Sequence, residues 1–457
     1  MNKINNNIIS TSNNNSSLKT NQNENKEQKI TKILLKLSSN LFIKEVESPL
    51  EFEQICKNLK VCVDIKKLKI NLKYSSQNFS YLFSKSSSIM LYNKTYSVKE
   101  IGKLSYKLNK IILFCYRNKM PHIKRENSKK YYTSDSGWGC MIRCGQMILA
   151  RAIYKYFKAQ KISSEEAIQR TLFYFYEAPF LFDDYPPLFC CVFNKFIHSY
   201  FETHKTPINI KYCYAPFNIM SNCLLGELYN KYPGEYFSDV NMCMNFVYLN
   251  DYFNIFSYLK IFSFQSNFIL SKIIYNCFEK AENIDNNINN NIYIYENNQY
   301  IMQKGGLIFI SVRLGLNKIT EEYYNSILEI FNCKECIGII GGENNKAHYF
   351  IGCDCQREVL LYLDPHTTKN CVYKLNENSL FENYLNKTVY EISLKNMSAA
   401  FTIGFMFRNF QEFEHLIYFV QNYTKVKKNP CFSFTNMEID FVNDDFEEAV
   451  LNDADDF

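Results

Sequence analysis

The sequence predicts an α+β domain, on two main observations. A long apolar helix pattern begins near residue 140 with no proline to break it. Well after it, beyond residue 305, comes a run of apolar and alternating segments that read as antiparallel strands. A third property allows the fold: 47% of the 457 residues are apolar, enough to bury a sizeable core.

Residues 1–30 are rich in Asn, Ser and Lys and are expected to be a disordered tail. Residues 31–87 form an N-terminal extension of mixed character. Within it "ITKILLKLSSNLF" reads as a helix and "KLKINLKY" alternates like a strand; no chemistry is assigned to either. The first strongly patterned element is the helix over 140–157, with Met141, Cys144, Ile148 and Ala152 at helical spacing. A polar insertion, "ENIDNNINNNIYIYENNQ" at 282–299, reads as a surface loop. "GGLIFISVRLGL" (305–316) reads as a buried strand and "ITEEYYNSILEIF" (319–331) as a helix. "CIGIIGG", "AHYFIGCD" and "EVLLYLDPH" then read as three consecutive strands. Residues 428–457 form an acidic C-terminal tail.

The bulk properties narrow the function classes. No apolar run reaches about 18 residues, so no spanning helix is expected, and the first twenty residues lack the apolar core of a signal peptide. An intracellular, cytoplasmic protein is expected. Seventeen cysteines without a repeating framework then read as free thiols, most of them small buried hydrophobes. The net charge is +6, yet the last twenty residues hold nine acidic groups and no basic one, which leaves +15 on the rest. Such a body could favour an anionic surface, but abundant Lys, Asn, Ile, Tyr and Phe read more simply as compositional bias. No nucleic-acid partner, metal or cofactor is expected.

Chemistry concentrates in "TSDSGWGCMIRCGQMILARAI" (133–153). Cys140 stands at a helix start behind Gly137 and Gly139, where unpaired N–H groups and the helix dipole stabilise a thiolate. Trp138, the only tryptophan, could wall the approach. Cys144, one turn inside, is expected to pack. A cysteine nucleophile needs a base and a group that orients the base. Of six histidines (122, 198, 204, 348, 366 and 415), His366 has Asp364 two residues before it in "YLDPHTT". In an extended segment those side chains share a face, about 6.6 Å apart. His348 is the rival and reads as a satisfied packing or loop histidine; His122 and His415 read as surface residues. The Cys140 N–H is one oxyanion donor, and spacing alone names no second. The residues thus reach a Cys–His–Asp hydrolase or acyltransferase.

These segments resemble the autophagins, the autophagy-related cysteine peptidases. "TSDSGWGCMIRCGQMILA" resembles their nucleophile segment, and "IGGENNKAHYFIGCD" with "LLYLDPHTT" resembles their Asp–Pro–His segment. "LFCYRNKMPHI", "GGLIFISVRLGLNKITEEYY" and "ISLKNMSAAFTIGFMF" match further family segments in order. The resemblance implies a papain-like domain over 88–427 with a small added subdomain. It implies Cys140 as nucleophile, His366 as general base and acid, Asp364 as its orienter, and Tyr116 as oxyanion donor. It also implies a substrate: the ubiquitin-like autophagy modifier, as precursor and as lipid conjugate. Cleavage after its terminal glycine would prime it, or free it from phosphatidylethanolamine with transient contact to autophagic membranes. A monomer is expected.

Two features depart from the family. Where it clamps a substrate groove beside Trp138 with a second Trp and a Pro-bearing loop, this chain aligns Tyr236 and Asn344. The acidic tail carries Phe441 and Phe446 but no aliphatic residue at the third position after either, as the family's modifier-binding motif requires. Three rivals remain at this stage. One is a non-catalytic scaffold that binds the modifier. Another is a zinc module built on Cys333, Cys336, Cys353 and Cys355, weakened by its unusual C-x-C half. The third is acyl transfer to an amine in place of water.

Overall fold

The computed structural model describes residues 79–435 apart from 126–128, 178–179, 182–211, 214, 281–291, 296–297, 344, 373–382 and 387, together with residues 29, 32, 33, 42 and 43. The expectations for residues 1–30, for most of 31–78 and for the tail beyond 435 lie outside them.

The elements that position the site follow in chain order. Strands β1 (Ser88–Leu91) and β2 (Lys94–Ser97) form a hairpin before helix α1 (Ile101–Leu108). The short strand β3 is Tyr116–Asn118. Helices α2 (Cys140–Ala159), α3 (Ser164–Leu172), α4 (Ile219–Gly226) and α5 (Asp239–Phe253) come next. The last three start on the polar caps of Ser163, Asn218 and Ser238, whose side chains accept the third following backbone N–H. Strands β4 (Leu259–Gln265), β5 (Gly305–Lys318), β6 (Cys336–Glu343), β7 (Lys346–Asp354), β8 (Val359–Leu363), β9 (Thr368–Asn370), β10 (Tyr390–Ser393) and β11 (Ser398–Phe407) follow.

One nine-stranded sheet organises the molecule. Its main order is β10-β8-β7-β6-β11-β5-β4, and the β1–β2 hairpin joins through β7. Every pairing in it is antiparallel except β5 with β4. Both faces are covered, which explains why β5 and β6 read as continuous apolar runs. Successive residues enter opposite cores: Leu307 and Phe309 pack with the α2 side, Ile308 and Ile310 with the other. The α+β expectation therefore matches the mixed architecture with its large sheet.

Several boundaries differ from the expected ones. Phe79 and Leu82 are buried in the core, so the domain begins before residue 88. At the other end Cys431 and Phe432 are buried and Ser433–Thr435 pairs with Asn267–Ile269, so it extends past 427. The expected loop at 282–299 is in part a hairpin: Ile292–Tyr295 pairs with Asn298–Met302, which pairs in turn with Phe278–Lys280. Its "IYIY" alternation carried that signal inside an Asn-rich stretch. The helix expected over 319–331 is a 3-10 turn, Glu321–Tyr323, followed by a helix at Tyr324–Ile330.

Helix α2 lies against the sheet where β11 presents Gly404. A Cβ at that position would sit 2.7 Å from Ile148 Cδ1 and 2.8 Å from Ile337 Cγ1. Gly404→Val is therefore expected to overpack this contact and cost about 1–3 kcal/mol. Chemical denaturation measures it, and an unchanged midpoint would show that the helix does not press on the sheet there.

Candidate active site

Cys140 is the first residue of α2, directly behind Gly139, and no side chain caps that end. The first-turn N–H groups thus remain for an anion. Asp135 ties the entering turn together. Its carbonyl accepts the Trp138 and Gly139 N–H groups at 3.2 and 2.8 Å. Its carboxylate accepts the Arg117 N–H and the Arg143 Nε, each at 2.6 Å. Gly139 has no room for a side chain, since a Cβ would lie 2.6 Å from Asp135 Oδ2. Gly137 takes a φ of 88°, which favours glycine.

Arg143 extends this network one turn into the helix. Its guanidinium also donates to Glu177, and the other oxygen of Glu177 accepts the Ile219 N–H at the start of α4, at 3.0 Å. Arg143, Asp135 and Glu177 are 1%, 0% and 4% exposed. Their charges are tolerated there because each is paired and hydrogen-bonded. The nucleophile's turn, the helix and α4 are thereby locked into one body.

The partner segment arrives from the other side. After β8 the chain leaves the sheet at Asp364. Asp364 Oδ1 accepts the His366 backbone N–H at 3.1 Å and bonds the His366 Nδ1. This corrects the expected extended geometry: an Asx-type turn, not strand alternation, brings carboxylate and imidazole together. Strand β9 then runs parallel to β3, with Thr368 opposite Tyr116, and the Tyr116 N–H donates to Pro365 O at 2.9 Å. That pairing seats Tyr116 against the Asp–Pro–His turn, and its ring meets His366 edge-on with centroids 5.5 Å apart.

Cys140, His366, Asp364 and Tyr116 therefore converge. The Cys140 thiol is hydrogen-bonded with His366, with the Tyr116 hydroxyl and with the backbone N–H of Ala347. Burial opposes ionisation of Cys140, but these hydrogen bonds and the His366 charge outweigh it and hold the thiol below its ordinary value. Burial likewise opposes a charged His366. Its bonds to Asp364 and Cys140 prevail and raise it to about 9. The Asp364 carboxyl, despite burial, is held down by the His366 bonds. Burial and the neighbouring Cys140 charge push the Tyr116 hydroxyl up, so it stays a protonated donor. Near neutral pH the arrangement holds a thiolate beside an imidazolium, which can attack a carbonyl and return a proton to a leaving amine.

The neighbours sort out as follows. Cys144 is fully buried, and burial pushes its thiol well up, as its packing role requires. Trp138 is 6% exposed, donates through Nε1 to Ser134 O at 3.1 Å and packs edge-on against Tyr132. Tyr132 also fills the space a Cβ at Gly234 would need. The loop that follows carries Tyr236, which is 48% exposed and near enough for its charge to act on Tyr116. Asn344 lies outside the described residues. His122 and His415 are exposed, as expected. His348 lies in strand β7, not in a loop, and packs on Tyr362 with centroids 4.1 Å apart. Its expected hydrogen-bond satisfaction does not hold. Neither ring nitrogen has a hydrogen-bond partner among the described residues, and Asp364 Oδ1 is 3.7 Å from its Nδ1. Burial holds it neutral, lowered to about 4.

The thiol pairs do not make a metal site. Among the described residues the only group of three or more His, Cys, Asp or Glu side chains placed to share an ion is His348, Asp364 and His366. Cys353 and Cys355 approach each other at 3.6 Å without Cys333 and Cys336 completing a tetrahedron.

Comparison with known proteins places this site in a family. The profile of the peptidase C54 catalytic domain matches residues 102–419. The chain is 26% identical over 368 residues to the cysteine protease ATG4C of Xenopus tropicalis, covering 72% of this chain and 74% of that protein. It is 28% identical over 274 residues to the cysteine protease ATG4B of Gallus gallus, covering 57% and 60%. It is 26% identical over 303 residues to the probable cysteine protease atg4 of Aspergillus oryzae, covering 62% and 58%.

Removing Arg143 leaves two buried carboxylates without their cation. Arg143→Met is expected to cost about 3–5 kcal/mol, read by chemical denaturation. A cost near zero would show that the nucleophile's turn is held by other contacts.

Proposed function

This chain belongs to the peptidase C54 family and is an autophagy-related cysteine-type peptidase; from that premise we propose that it cleaves the ubiquitin-like autophagy modifier after its terminal glycine. The reading covers both the precursor, whose tail is removed, and the conjugate, from which phosphatidylethanolamine is released. It places the enzyme in the cytoplasm, as a monomer that meets autophagic membranes transiently. Within the papain-like body, we read the three-stranded sheet of Phe278–Lys280, Ile292–Tyr295 and Asn298–Met302 as the small added subdomain, supported by its pairing only within itself.

One observation carries the mechanism: the Cys140 thiol is bonded with both His366 and Tyr116, while Asp364 holds the remaining nitrogen of His366. The Cys140 thiolate attacks the glycyl carbonyl. The oxyanion that forms is met by the Tyr116 hydroxyl and the N–H groups at the start of α2. His366 gives its proton to the departing amine, which is a peptide nitrogen in the precursor and ethanolamine in the conjugate. The thioester left on Cys140 is hydrolysed by a water that His366 deprotonates. Trp138 and Tyr236 border the approach, a narrow path suited to glycine and other small residues at the cut. Tyr236 and Asn344 stand where the family has a clamping Trp and a Pro-bearing loop. In this reading they make a weaker lid.

Incubation with modifier precursor and with conjugate, followed by electrophoresis, tests the proposal. Wild type should yield shortened modifier from both, and Cys140→Ala none. Asp364→Asn should slow turnover by about 10²–10⁴-fold, and Tyr116→Phe by about 10²–10³-fold. The rate should fall on the acid side as Cys140 gains a proton, and again as pH rises through about 9, where His366 loses its own. Cleavage by Cys140→Ala at the wild-type rate would overturn the assignment.

A further inference from the structure

His348 is 2% exposed, and neither of its ring nitrogens has a hydrogen-bond partner among the described residues. A buried, unpaired polar group costs about 1–3 kcal/mol, so a ring left this way needs a reason. The mechanism above does not use it. Its nearest charged neighbours are Asp364 Oδ1 at 3.7 Å and Glu343 Oε1 at 4.0 Å. Its ring lies 5.5 Å from that of His366, centroid to centroid. One ligand atom from each of His348, Asp364 and His366 falls within 4.8 Å of the other two.

We propose that these three side chains form an inhibitory site for a zinc-class divalent cation, built on the catalytic dyad and completed by His348. Two imidazoles and a carboxylate with a fourth position open is a donor set zinc accepts. Its ligand atoms stand about 2.0–2.2 Å from the metal and so roughly 3.3 Å from one another on a tetrahedron. The His348–Asp364 separation of 3.7 Å is already close to that. Asp364 and His366 need only part slightly, each trading its bond to the other for a bond to the ion. His348 is held rigidly in β7 between the sheet and Tyr362, so the third ligand is set in place before the ion arrives.

The consequence rests on the catalytic roles assigned to His366 and Asp364. An ion at Nδ1 displaces the proton that Asp364 holds there and pins the ring by coordination. His366 then cannot carry the charge that keeps Cys140 ionised, and the peptidase stops. Chelation reverses the process, because no covalent bond has changed.

Zinc chloride added to the full chain carrying Cys140→Ala tests the site without reference to activity. Calorimetry should show saturable zinc binding. Adding His348→Phe should weaken it by about 10–100-fold or more, with thermal denaturation as the control for folding. Cobalt substituted for zinc in the Cys140→Ala chain should show ligand-field bands without thiolate charge transfer, a readout that needs no variant at His348. Wild-type cleavage should be inhibited by zinc and restored by chelator, with His348→Phe markedly less sensitive. Equal zinc affinity with and without His348, or thiolate bands in the cobalt spectrum, would overturn the proposal. Since binding is read on a chain that cannot cleave, a failed peptidase assignment would leave that result standing. A failed metal site would leave cleavage of the modifier intact.

Discussion

A sulfur anion buried to 2% exposure is the constraint on which this structure depends. An unpaired charge at such depth would be expelled by protonation. Cys140 escapes that outcome because His366, Tyr116 and the Ala347 N–H all face it, each on a different element. Tyr116 comes from a short strand, His366 from the turn after β8, and Ala347 from β7. The large sheet brings the last two together, and the parallel pairing of β9 with β3 adds the first. Loosening any of these would return the thiol to an ordinary, unreactive state.

A second buried charge supports the first. Arg143 holds Asp135 on one side and Glu177 on the other, so the turn before Cys140 cannot drift relative to α2 or α4. Gly139 allows that turn to close because no side chain separates it from Asp135. The tight glycine-rich entry and the arginine one turn later are thus parts of one device. The answer to why the only tryptophan stands two residues before the nucleophile is also structural in part. Trp138 is mostly buried and bonded to Ser134, so any groove it lines is shaped by a rigid ring.

Much of this was legible in the amino-acid sequence. The α2 pattern, the β5 to β8 strands and the Asp–Pro–His pair all carry local signals, namely periodicity, apolar runs and a proline. What was not legible depends on distant pairing. Arg143 interrupts an apolar helix and looks like a solvated position, and only the fold brings Asp135 and Glu177 to it. Ala347 contributes a backbone N–H, which has no side-chain signature. The Asx turn at Asp364 bears the same residues as an extended segment would. His348 gives no hint of unsatisfied nitrogens, because its surroundings come from β8 and the turn that follows. The domain ends were missed because short apolar pieces, around Phe79 and Phe432, lie next to polar stretches that dominate a composition-based reading.

The thiolate–imidazolium pair itself can be measured directly. Ultraviolet thiolate absorbance, titrated as the difference between wild type and Cys140→Ser, reports the ionisation of this one sulfur among seventeen. The account predicts a thiolate already formed below neutral pH, and a shift toward the ordinary thiol value of about 8.5 when His366 is replaced by Ala. A sulfur that ionises only in the ordinary range in wild type, unmoved by that replacement, would contradict it.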